Sequence, residues 1–411
     1  MIILSGASVV LPDRMLSPGV LVIDGDVIAE VRAGQPPGAG HPQSPLFTFQ
    51  RHYIVPGFVD VHVHGVDGFD ALDEGNPVAG MAARLPRYGV TAFCPTTTAC
   101  APDELRRMLR HVRLARKTRS ARAARVLPAH LESNFISPQF RGAHPLACLR
   151  SPKAALSGRI RIPHPIRDGD DRFTAPDVLA EIERAPADIG IVTLAPELDG
   201  GLDLIGWLTS RGHRVSLGHS GASYEQALEA IAAGATQATH LFNRMPALRH
   251  RTPGLAGAVL HSEAVAAELI CDGVHVHPAM VGTAIRAKGA SRVMAITDAT
   301  SVAGLRPGAW GSLGGQAIIA GESTALLRDG TVAGSLVTMD RMFQTLVGRM
   351  GLSLVDAATV CATTPAREMG LADYGVIAPG AAADLVVLDA ELMVIQTYVA
   401  GQLVYSRPGI A

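Results

Sequence analysis

The chain has 411 residues, 48% of them hydrophobic, and a formal net charge of −1, which suits one large domain with an appendage or two domains. Apolar runs stay below the roughly 18 residues needed to span a bilayer, and residues 1–10 lack the basic start and long apolar core of a signal peptide. We therefore expect a cytoplasmic protein without a membrane partner. The five cysteines lack C-x-x-C spacing, which argues against a disulfide framework or a thiolate zinc site.

The first and last segments of the chain have the same β-type pattern. Between Ile2 and Pro56, short apolar runs alternate with turns rich in Gly, Pro and Asp, and residues 375–405 repeat this pattern. Because chain ends often lie close together, the two pieces can pair. We predict a small β-sandwich domain built from residues 1–55 plus 372–411, with 34–44 as an exposed loop.

Residues 56–371 alternate apolar strands with helical stretches. Eight strands are predicted, at 58–64, 91–96, 125–132, 189–197, 214–219, 238–242, 265–273 and 292–298. Helices are predicted between them, for example at 102–119, 176–185, 224–233 and 277–288. This pattern fits an α/β protein with a (β/α)8 TIM-like barrel, whereas an open doubly wound sheet would need a G-x-G-x-x-G loop after its first strand. Pro and Gly interrupt residues 133–166, which indicates an active-site loop.

One long basic stretch, residues 106–125, has helical spacing. Five apolar residues are available for its buried face: Leu105, Met108, Leu109, Val112 and Leu114. A solvated outer helix is therefore a better interpretation than a nucleic-acid patch, and no nucleic-acid partner is expected.

Ligand-type side chains gather at the ends of the predicted strands and just beyond them. They are His62, His64, Thr96, Thr97, Thr98, Glu132, Glu197, His219, His240, His275 and Asp298. Taken singly, each has an ordinary explanation, such as a capping acid for Glu132 or a core imidazole for His240. In a barrel, however, the strand ends converge on one mouth, where active sites form. Imidazole nitrogen and carboxylate oxygen at this mouth suit zinc, iron or a similar divalent ion.

Several of these residues lie in segments that resemble a known family. The segments are VPGFVDVHVHG, HLESNF, LGHSGA, THLFNRM, CDGVHVHP, ITDAT and GTVAGSLVTM. They resemble the amidohydrolase superfamily and, within it, the N-acetylglucosamine-6-phosphate deacetylases, and the likeness covers nearly the whole chain. The resemblance implies a metal-dependent hydrolase that removes the N-acetyl group from an N-acetylhexosamine 6-phosphate. N-acetylglucosamine 6-phosphate is the first expectation, with the amino sugar phosphate and acetate as products.

The resemblance also implies a set of metal ligands. Glu132, His219 and His240 would bind the main metal. His62 and His64 would hold a second metal in those relatives that have one, with Glu132 bridging. Many amidohydrolases bridge their metals with a carboxylated lysine, but no lysine lies near the end of the third or fourth predicted strand. One or two divalent ions per subunit are therefore expected, with zinc or iron favoured.

Catalytic roles follow from the same resemblance. Asp298 would take a proton from the attacking water and return it to the departing amine. His144, in the RGAHP segment, would orient or polarise the acetyl carbonyl, although a histidine on a surface loop is an alternative.

Substrate contacts are implied as well. Arg251 and His275 match the positions that bind the 6-phosphate and the sugar. The remaining contacts would come from Ala143, His144, Asn243, Arg244, Asp272, Val332, Ala333 and Gly334. Because the phosphate-binding Arg usually comes from the neighbouring subunit, we expect a homodimer with Arg251 crossing the interface.

The chain departs from the family pattern at a few positions. Ser133 and Asn134 stand where Gly-Pro is commoner, and Thr252 replaces an acid. Arg244 replaces a small residue, so it can reshape the sugar pocket or add a phosphate contact. Three alternatives stay open: the galacto epimer as substrate, an amidohydrolase acting on a cyclic amide or N-acyl amino acid, and a catalytically silent barrel. The intact ligand set argues against the silent barrel.

Overall fold

The computed structural model describes residues 1–34, 45–118, 120–157 and 172–409. Apart from its first residue, the predicted loop at 34–44 lies outside these ranges, as does the last part of the predicted active-site loop at 133–166. Within the described ranges, no helix is both long enough and apolar enough to cross a bilayer.

Eight parallel strands form the central barrel, as the alternating pattern predicts. They are β1 (Phe58–Val63), β2 (Val90–Thr97), β3 (Ala129–Glu132), β4 (Ile189–Leu194), β5 (Arg214–Leu217), β6 (Ala235–Ala238), β7 (Ala266–Leu269) and β8 (Val293–Ala295). Each strand pairs with the next in chain order. A parallel bridge between Val63 and Ala299 joins the segment after β8 to β1, so the barrel closes at its carboxyl end.

Helices lie between and after these strands. They are α1 (Pro77–Arg84), α2 (Pro102–Lys117), α3 (Pro152–Ser157), α4 (Ala175–Arg184), α5 (Gly201–Thr209), α6 (Tyr224–Ala232), α7 (Gly254–His261), α8 (Pro278–Lys288), α9 (Met339–Gln344), α10 (Leu354–Ala358) and α11 (Thr364–Glu368). Short 3-10 turns occur at Leu85–Tyr88, Pro138–Phe140, Leu146–Cys148, Pro186–Asp188 and Ala290–Arg292, and π-helical turns at Thr345–Arg349 and Thr359–Thr363. The predicted helices correspond to α2, α4, α6 and α8.

The basic stretch forms α2, an amphipathic helix on the outside of the barrel. Its buried apolar residues are Leu105, Met108, Leu109 and Val112. Leu114, which was predicted on the same face, is 52% exposed, so that assignment was wrong. Arg106 pairs with Glu181 at 2.6 Å and Arg113 with Asp188 at 2.7 Å, and these acids offset part of the basic charge. The outer-helix interpretation accounts for both observations.

The chain ends form a smaller β domain of two sheets. One sheet has the order Val27–Ala33, Gly19–Asp24, Ile2–Ser5 and Leu46–Thr48. The other has the order Gln402–Ser406, Val394–Val399, Leu385–Leu388, Tyr53–Pro56, Ser8–Val10 and Met15–Leu16. Buried side chains of both sheets, among them Leu21, Ile54 and Tyr398, pack in one apolar cluster. The prediction of a β-sandwich built from both termini is therefore confirmed.

We propose that the domain boundaries lie where the sequence suggests, with 1–55 plus 372–411 in the sandwich and 56–371 in the barrel. The antiparallel pairing of Tyr53–Pro56 with Leu385–Leu388 supports this division, because it joins the two terminal pieces just before β1 begins. A bidentate ion pair between Arg125 and Asp384, with N–O distances of 2.8 and 3.1 Å, links the barrel to the sandwich.

An antiparallel sheet after β8 was not predicted. Its strands are Trp310–Leu313, Gln316–Ala320, Thr324–Leu327 and Val332–Ser335. Other short strands are Gly65–Val66, which pairs with Phe69–Asp70, and Arg125–Val126, which pairs with β2. The predicted third strand is therefore interrupted at Pro128, whose ring nitrogen has no hydrogen to donate. The sheet of residues 310–335, here called the wall sheet, supplies one side of the pocket described next.

Candidate active site

The five predicted metal ligands and the predicted proton acceptor Asp298 meet at the carboxyl end of the barrel. They are His62 and His64 at the end of β1, Glu132 at the end of β3, and His219, His240 and Asp298 just past β5, β6 and β8. The strands β5, β6 and β8 thus end sooner than predicted. The four histidines and Glu132 are buried, whereas the side chain of Asp298 is partly exposed, at 13%.

The backbone turns sharply at three of these six residues. The φ values of His219, His240 and Asp298 are 48°, 31° and 48°. They lie in the left-handed region, which residues other than glycine rarely adopt. Each such residue costs on the order of 1–3 kcal/mol, and residues of this kind cluster at functional sites. The left-handed turn ends the strand ladder while the side chain remains at the barrel mouth. The printed sequence carries no local signal for it.

Glu132 is the centre of a first cluster. Its Oε1 lies 3.0 Å from His219 Nε2 and 2.9 Å from His240 Nε2, and the two nitrogens are 2.9 Å apart. His219 Nδ1 donates to the Phe140 carbonyl at 2.8 Å, which assigns the unprotonated nitrogen of that ring to Nε2. Electron-rich atoms therefore face one another at short range, and a divalent cation stabilises such an arrangement.

A second cluster adjoins the first. His62 Nε2 and His64 Nε2 are 3.2 Å apart, and Asp298 Oδ1 lies 3.5 and 3.2 Å from them. Glu132 Oε2 is 3.4 Å from His64 Nε2, and Glu132 Oε1 is 3.7 Å from His62 Nε2. One carboxylate thus contacts both clusters, which is the position a bridging ligand needs.

The donor atoms fit a divalent metal. They are imidazole nitrogens and carboxylate oxygens, which zinc and iron accept. Burial lowers the pKa of His64, but its hydrogen bonds with Asp298 and Glu132 outweigh burial and raise the pKa to about 10. The carboxylates therefore favour a positive charge at this point, which a bound cation would supply.

His144 faces the clusters from the loop after β3. Its Nδ1 accepts a hydrogen bond from the Ala99 amide at 2.9 Å, so the ring proton is assigned to Nε2, which lies 3.0 Å from Glu132 Oε2. Burial and the charge of His219 lower the pKa of His144 to about 4, so the ring is neutral near pH 7. The side chain is buried and not on the surface. A neutral N–H donor here can polarise a carbonyl oxygen.

The clusters line a cavity of about 400 Å³, a size that suits a small molecule. Most predicted substrate-binding residues line it too: Ala143, His144, Asn243, Arg244, His275, Val332 and Gly334. Ala333 does not, because alternate residues of a strand face opposite sides, and its side chain packs in the core of the wall sheet.

Two other predicted substrate residues do not line this cavity. Asp272 Oδ2 lies 2.7 Å from His275 Nδ1, so Asp272 orients that imidazole instead of facing the cavity directly. Arg251 lines a separate surface cavity together with Arg249. Among the arginines in the described ranges of a single subunit, Arg244 is the one that lines the 400 Å³ cavity.

The remaining strand-end residues hold the loops. Glu197 accepts hydrogen bonds from Ser220 Oγ at 2.7 Å and from the Gly221 amide at 2.5 Å, which secures the loop after β5. Thr96 Oγ1 accepts from the Val63 amide at 2.9 Å. These side chains support the geometry of the mouth without joining a ligand cluster.

Some residues at the site were not predicted. Glu268 Oε2 lies 2.9 Å from His62 Nδ1, and the rings of His130 and His62 are 4.6 Å apart between centroids. An acid inside the apolar run VAAELI was the available signal for Glu268. Other cavity-lining residues that were not predicted are Gly142, Phe242, Val274, Leu313 and Thr324, whereas Thr98, one of the predicted strand-end residues, also lines the cavity.

Gly142 makes room for Arg244. Gly142 has φ 59°, and a Cβ at this position would lie 2.8 Å from Arg244 Nε. The guanidinium donates to the Val332 carbonyl at 3.4 Å. Arg244 therefore spans from the loop after β3 to the wall sheet, at the edge of the cavity.

Comparison with known proteins identifies the family. The model of the amidohydrolase family matches residues 211–404. The N-acetylglucosamine-6-phosphate deacetylase of Lysinibacillus sphaericus is 34% identical over 361 residues, which cover 85% of this chain and 85% of that protein. The N-acetylgalactosamine-6-phosphate deacetylase of Escherichia coli O157:H7 is 31% identical over 361 residues, which cover 85% of this chain and 87% of that protein.

A solved structure gives the same result. A mutant N-acetyl-D-glucosamine-6-phosphate deacetylase from Mycobacterium smegmatis, in complex with N-acetyl-D-glucosamine-6-phosphate, is 31% identical and has a TM-score of 0.85. The similarity covers 98% of this chain and 99% of that chain. The chain is a hydrolase that belongs to the N-acetylglucosamine-6-phosphate deacetylase family of the amidohydrolases.

Proposed function

We propose that the protein hydrolyses the acetamide of N-acetylglucosamine 6-phosphate and releases acetate and the amino sugar phosphate. The observation that carries this proposal is the position of Asp298 beside the Glu132-centred ligands in one small-molecule cavity. The Lysinibacillus relative is named for this activity, and the Mycobacterium structure holds this substrate.

Amidohydrolases generally use a divalent metal, and this chain has the side chains for it. Glu132, His219 and His240 would hold the main ion, and His62 and His64 a second, with Glu132 bridging. A divalent ion so bound lowers the pKa of water to roughly 7 and polarises a carbonyl group. Zinc and iron are the proposed metals, because both accept this mixture of nitrogen and oxygen ligands.

Asp298 would move the proton. Burial raises the pKa of this carboxyl, but the hydrogen bond from His64 and the charges of His62 and His64 outweigh burial and lower the pKa to about 2. Asp298 is then a carboxylate near pH 7, ready to accept the proton of the attacking water. Returning that proton to the amine nitrogen completes the cleavage of the C–N bond.

His144 would orient the acetyl group. Its Nε2–H points at the ligand cluster, and its low pKa keeps the ring a neutral donor. A hydrogen bond to the acetyl oxygen strengthens as negative charge develops there during attack, which lowers the barrier.

The sugar phosphate would lie against His275, Asn243 and Arg244, with backbone contacts from residues 332–334 and Ala143 beside them. Burial lowers the pKa of His275, but the hydrogen bond with Asp272 and the charge of that carboxylate outweigh burial and raise it. An imidazole that a carboxylate makes easier to protonate, together with a guanidinium, suits a phosphate group.

The galacto epimer is the second candidate substrate. The Escherichia coli relative that is 31% identical is named for N-acetylgalactosamine 6-phosphate, which differs only in the configuration of one hydroxyl group. A cyclic amide or an N-acyl amino acid has less support, because the relatives described above are named for sugar phosphates. The rates of acetate release from the two hexosamine phosphates, measured with the metal-loaded protein, would decide between the epimers. Release from neither, together with hydrolysis of a phosphate-free amide, would refute the proposed function.

Arg251 would act across a homodimer interface in the cytoplasm. Within its own subunit it lines a separate surface cavity, so a neighbouring subunit would have to bring it to the phosphate. We expect that mixing Arg251→Ala subunits with Asp298→Asn subunits restores activity. In the mixed dimer, one site has both Asp298 and an intact Arg251 from its partner. Activity of the mixture is measured against each variant alone, and no gain on subunit exchange would show that Arg251 does not act across the interface.

Arg244→Ala should raise KM for N-acetylglucosamine 6-phosphate by about 10-fold or more, because hydrogen bonds to charged groups are worth about 1.5–3 kcal/mol. KM for unphosphorylated N-acetylglucosamine should change much less. Arg306→Ala is a matched control, since Arg306 is exposed on the loop after β8 and does not line the cavity. Equal increases in KM on both substrates would remove Arg244 from phosphate recognition and leave it a role in shaping the sugar pocket.

A further inference from the structure

A buried carboxylate lies directly behind the second ligand cluster. Glu268, on β7, is 0% exposed, and its Oε2 lies 2.9 Å from His62 Nδ1. In the described part of the chain, Oε1 of the same carboxylate has no hydrogen-bond partner, and the nearest imidazole nitrogen of His130 is 3.6 Å away. The contact with His62 is therefore the side-chain hydrogen bond of this buried acid.

We propose that Glu268 is a positioning residue that builds the second metal site through His62. The carboxylate accepts a hydrogen bond from the Nδ1–H of His62, which leaves Nε2 as the nitrogen with a free electron pair. That nitrogen faces His64 Nε2 at 3.2 Å, on the side where Glu132 and Asp298 also lie. A histidine whose second ring N–H donates a hydrogen bond to a carboxylate is fixed in tautomer and orientation and becomes a stronger ligand.

The ring of His62 is held from a second direction. The ring of His130 packs against it at an interplanar angle of 67°, with 4.6 Å between centroids. His130 is itself fixed, because Nδ1 lies 3.0 Å from the Val61 carbonyl and Nε2 lies 2.7 Å from Thr193 Oγ1. Protein contacts thus hold the His62 ring from two directions.

The other ligands do not depend on Glu268 in this way. His219 Nδ1 donates to the Phe140 carbonyl, and His64 has no partner at Nδ1 within the described ranges. Loss of the Glu268 carboxylate should therefore weaken the site at His62 and leave the site at Glu132, His219 and His240 intact. This inference rests on metal binding as proposed above, but it needs no substrate.

The test compares four purified proteins loaded with cobalt: wild type, Glu268→Leu, Glu268→Gln and Asp60→Asn. Leucine has a similar size but no acceptor, whereas glutamine keeps an oxygen for His62 Nδ1. Asp60 is the matched control, because it is another buried acid of the barrel. It accepts a hydrogen bond from the backbone amide of His62 at 3.3 Å, not from the ring, and another from Thr297 Oγ1 at 2.5 Å. Metal equivalents are measured by mass spectrometry, cobalt affinity by absorbance titration, and folding by Tm.

We expect two equivalents in the wild type and in Asp60→Asn. Glu268→Leu should keep the tighter ion and bind the second about 10- to 100-fold more weakly, and Glu268→Gln should recover most of that loss. Glu268→Met replaces the leucine variant if leucine prevents folding. Unchanged affinity for the second ion in the acceptor-free variant would overturn the proposal, and so would equal loss of both ions or the same loss in Asp60→Asn.

A wild type that takes up one ion, with an affinity that His62→Ala leaves unchanged, would also overturn it. This outcome is distinct from a failure of the proposed function, which is judged by acetate release. Metal stoichiometry can confirm the role of Glu268 even if the substrate proves to be another amide.

Discussion

Asp298→Asn should lower kcat by about 10²- to 10⁴-fold, while the metal content stays at the wild-type level. Asparagine has nearly the shape of aspartate but cannot accept the proton of the attacking water. Its amide oxygen can still face His64, which Asp298 Oδ1 contacts at 3.2 Å, so the ligand clusters should keep their arrangement. Acetate release and metal analysis on the same preparation measure both quantities.

Asp272→Asn provides the comparison for this experiment. Asp272 is also an acid beside the cavity, but it contacts His275 and not the ligand clusters, so its loss should act mainly on KM. Equal turnover by Asp298→Asn and wild type would rule out Asp298 as the base. Loss of metal together with activity would instead make Asp298 an essential metal ligand.

Glu132→Ala should give a folded protein without bound metal and without measurable turnover. The substitution removes the oxygen that lies 3.0 Å from His219 and 2.9 Å from His240. It also removes the oxygen that lies 3.4 Å from His64. Because one carboxylate contacts both clusters, a single change should abolish both metal positions.

The Tm in the presence and absence of metal measures this loss. A ligand that binds only the folded state stabilises it by about 2.7 kcal/mol at 100 times its Kd. Zinc should therefore raise the Tm of metal-depleted wild type but not the Tm of Glu132→Ala. Glu197→Ala is the matched control, since this strand-end acid contacts Ser220 and Gly221 outside the clusters, and its response to zinc should equal that of wild type. A full rise in Tm for Glu132→Ala would contradict the assignment.

The barrel was predictable because its strands are buried on both faces and therefore read as continuous apolar runs between helical stretches. The points at which those strands end were harder to predict. His219 and His240 continue their apolar strands in the sequence, yet left-handed backbone takes both out of the ladder. Pro128 interrupts the third predicted strand for a local reason that the sequence does contain, the missing amide hydrogen.

The wall sheet was not predicted because its strands are short and only partly buried. Trp310 is 59% exposed and Val332 39% exposed, so neither a clear alternation nor an apolar run marks them. Its hairpins nevertheless decide which backbone faces the substrate, since Val332 lines the cavity and Ala333 does not. A one-residue difference of this kind follows from strand register, which is set by pairing with Thr324–Leu327.

The sequence by itself determined the chemistry of the site. In a barrel, imidazoles and carboxylates at the strand ends of an eight-stranded pattern come together at one mouth, and their donor atoms suit a divalent metal. The tertiary structure alone decided which residues support the ligands from outside the clusters and which arginine lines the cavity. Glu268 is 206 residues away from His62 in the chain, and Arg251 is placed apart from the cavity that Arg244 lines. Such pairings depend on barrel closure and loop packing, which bring together residues that no local pattern relates.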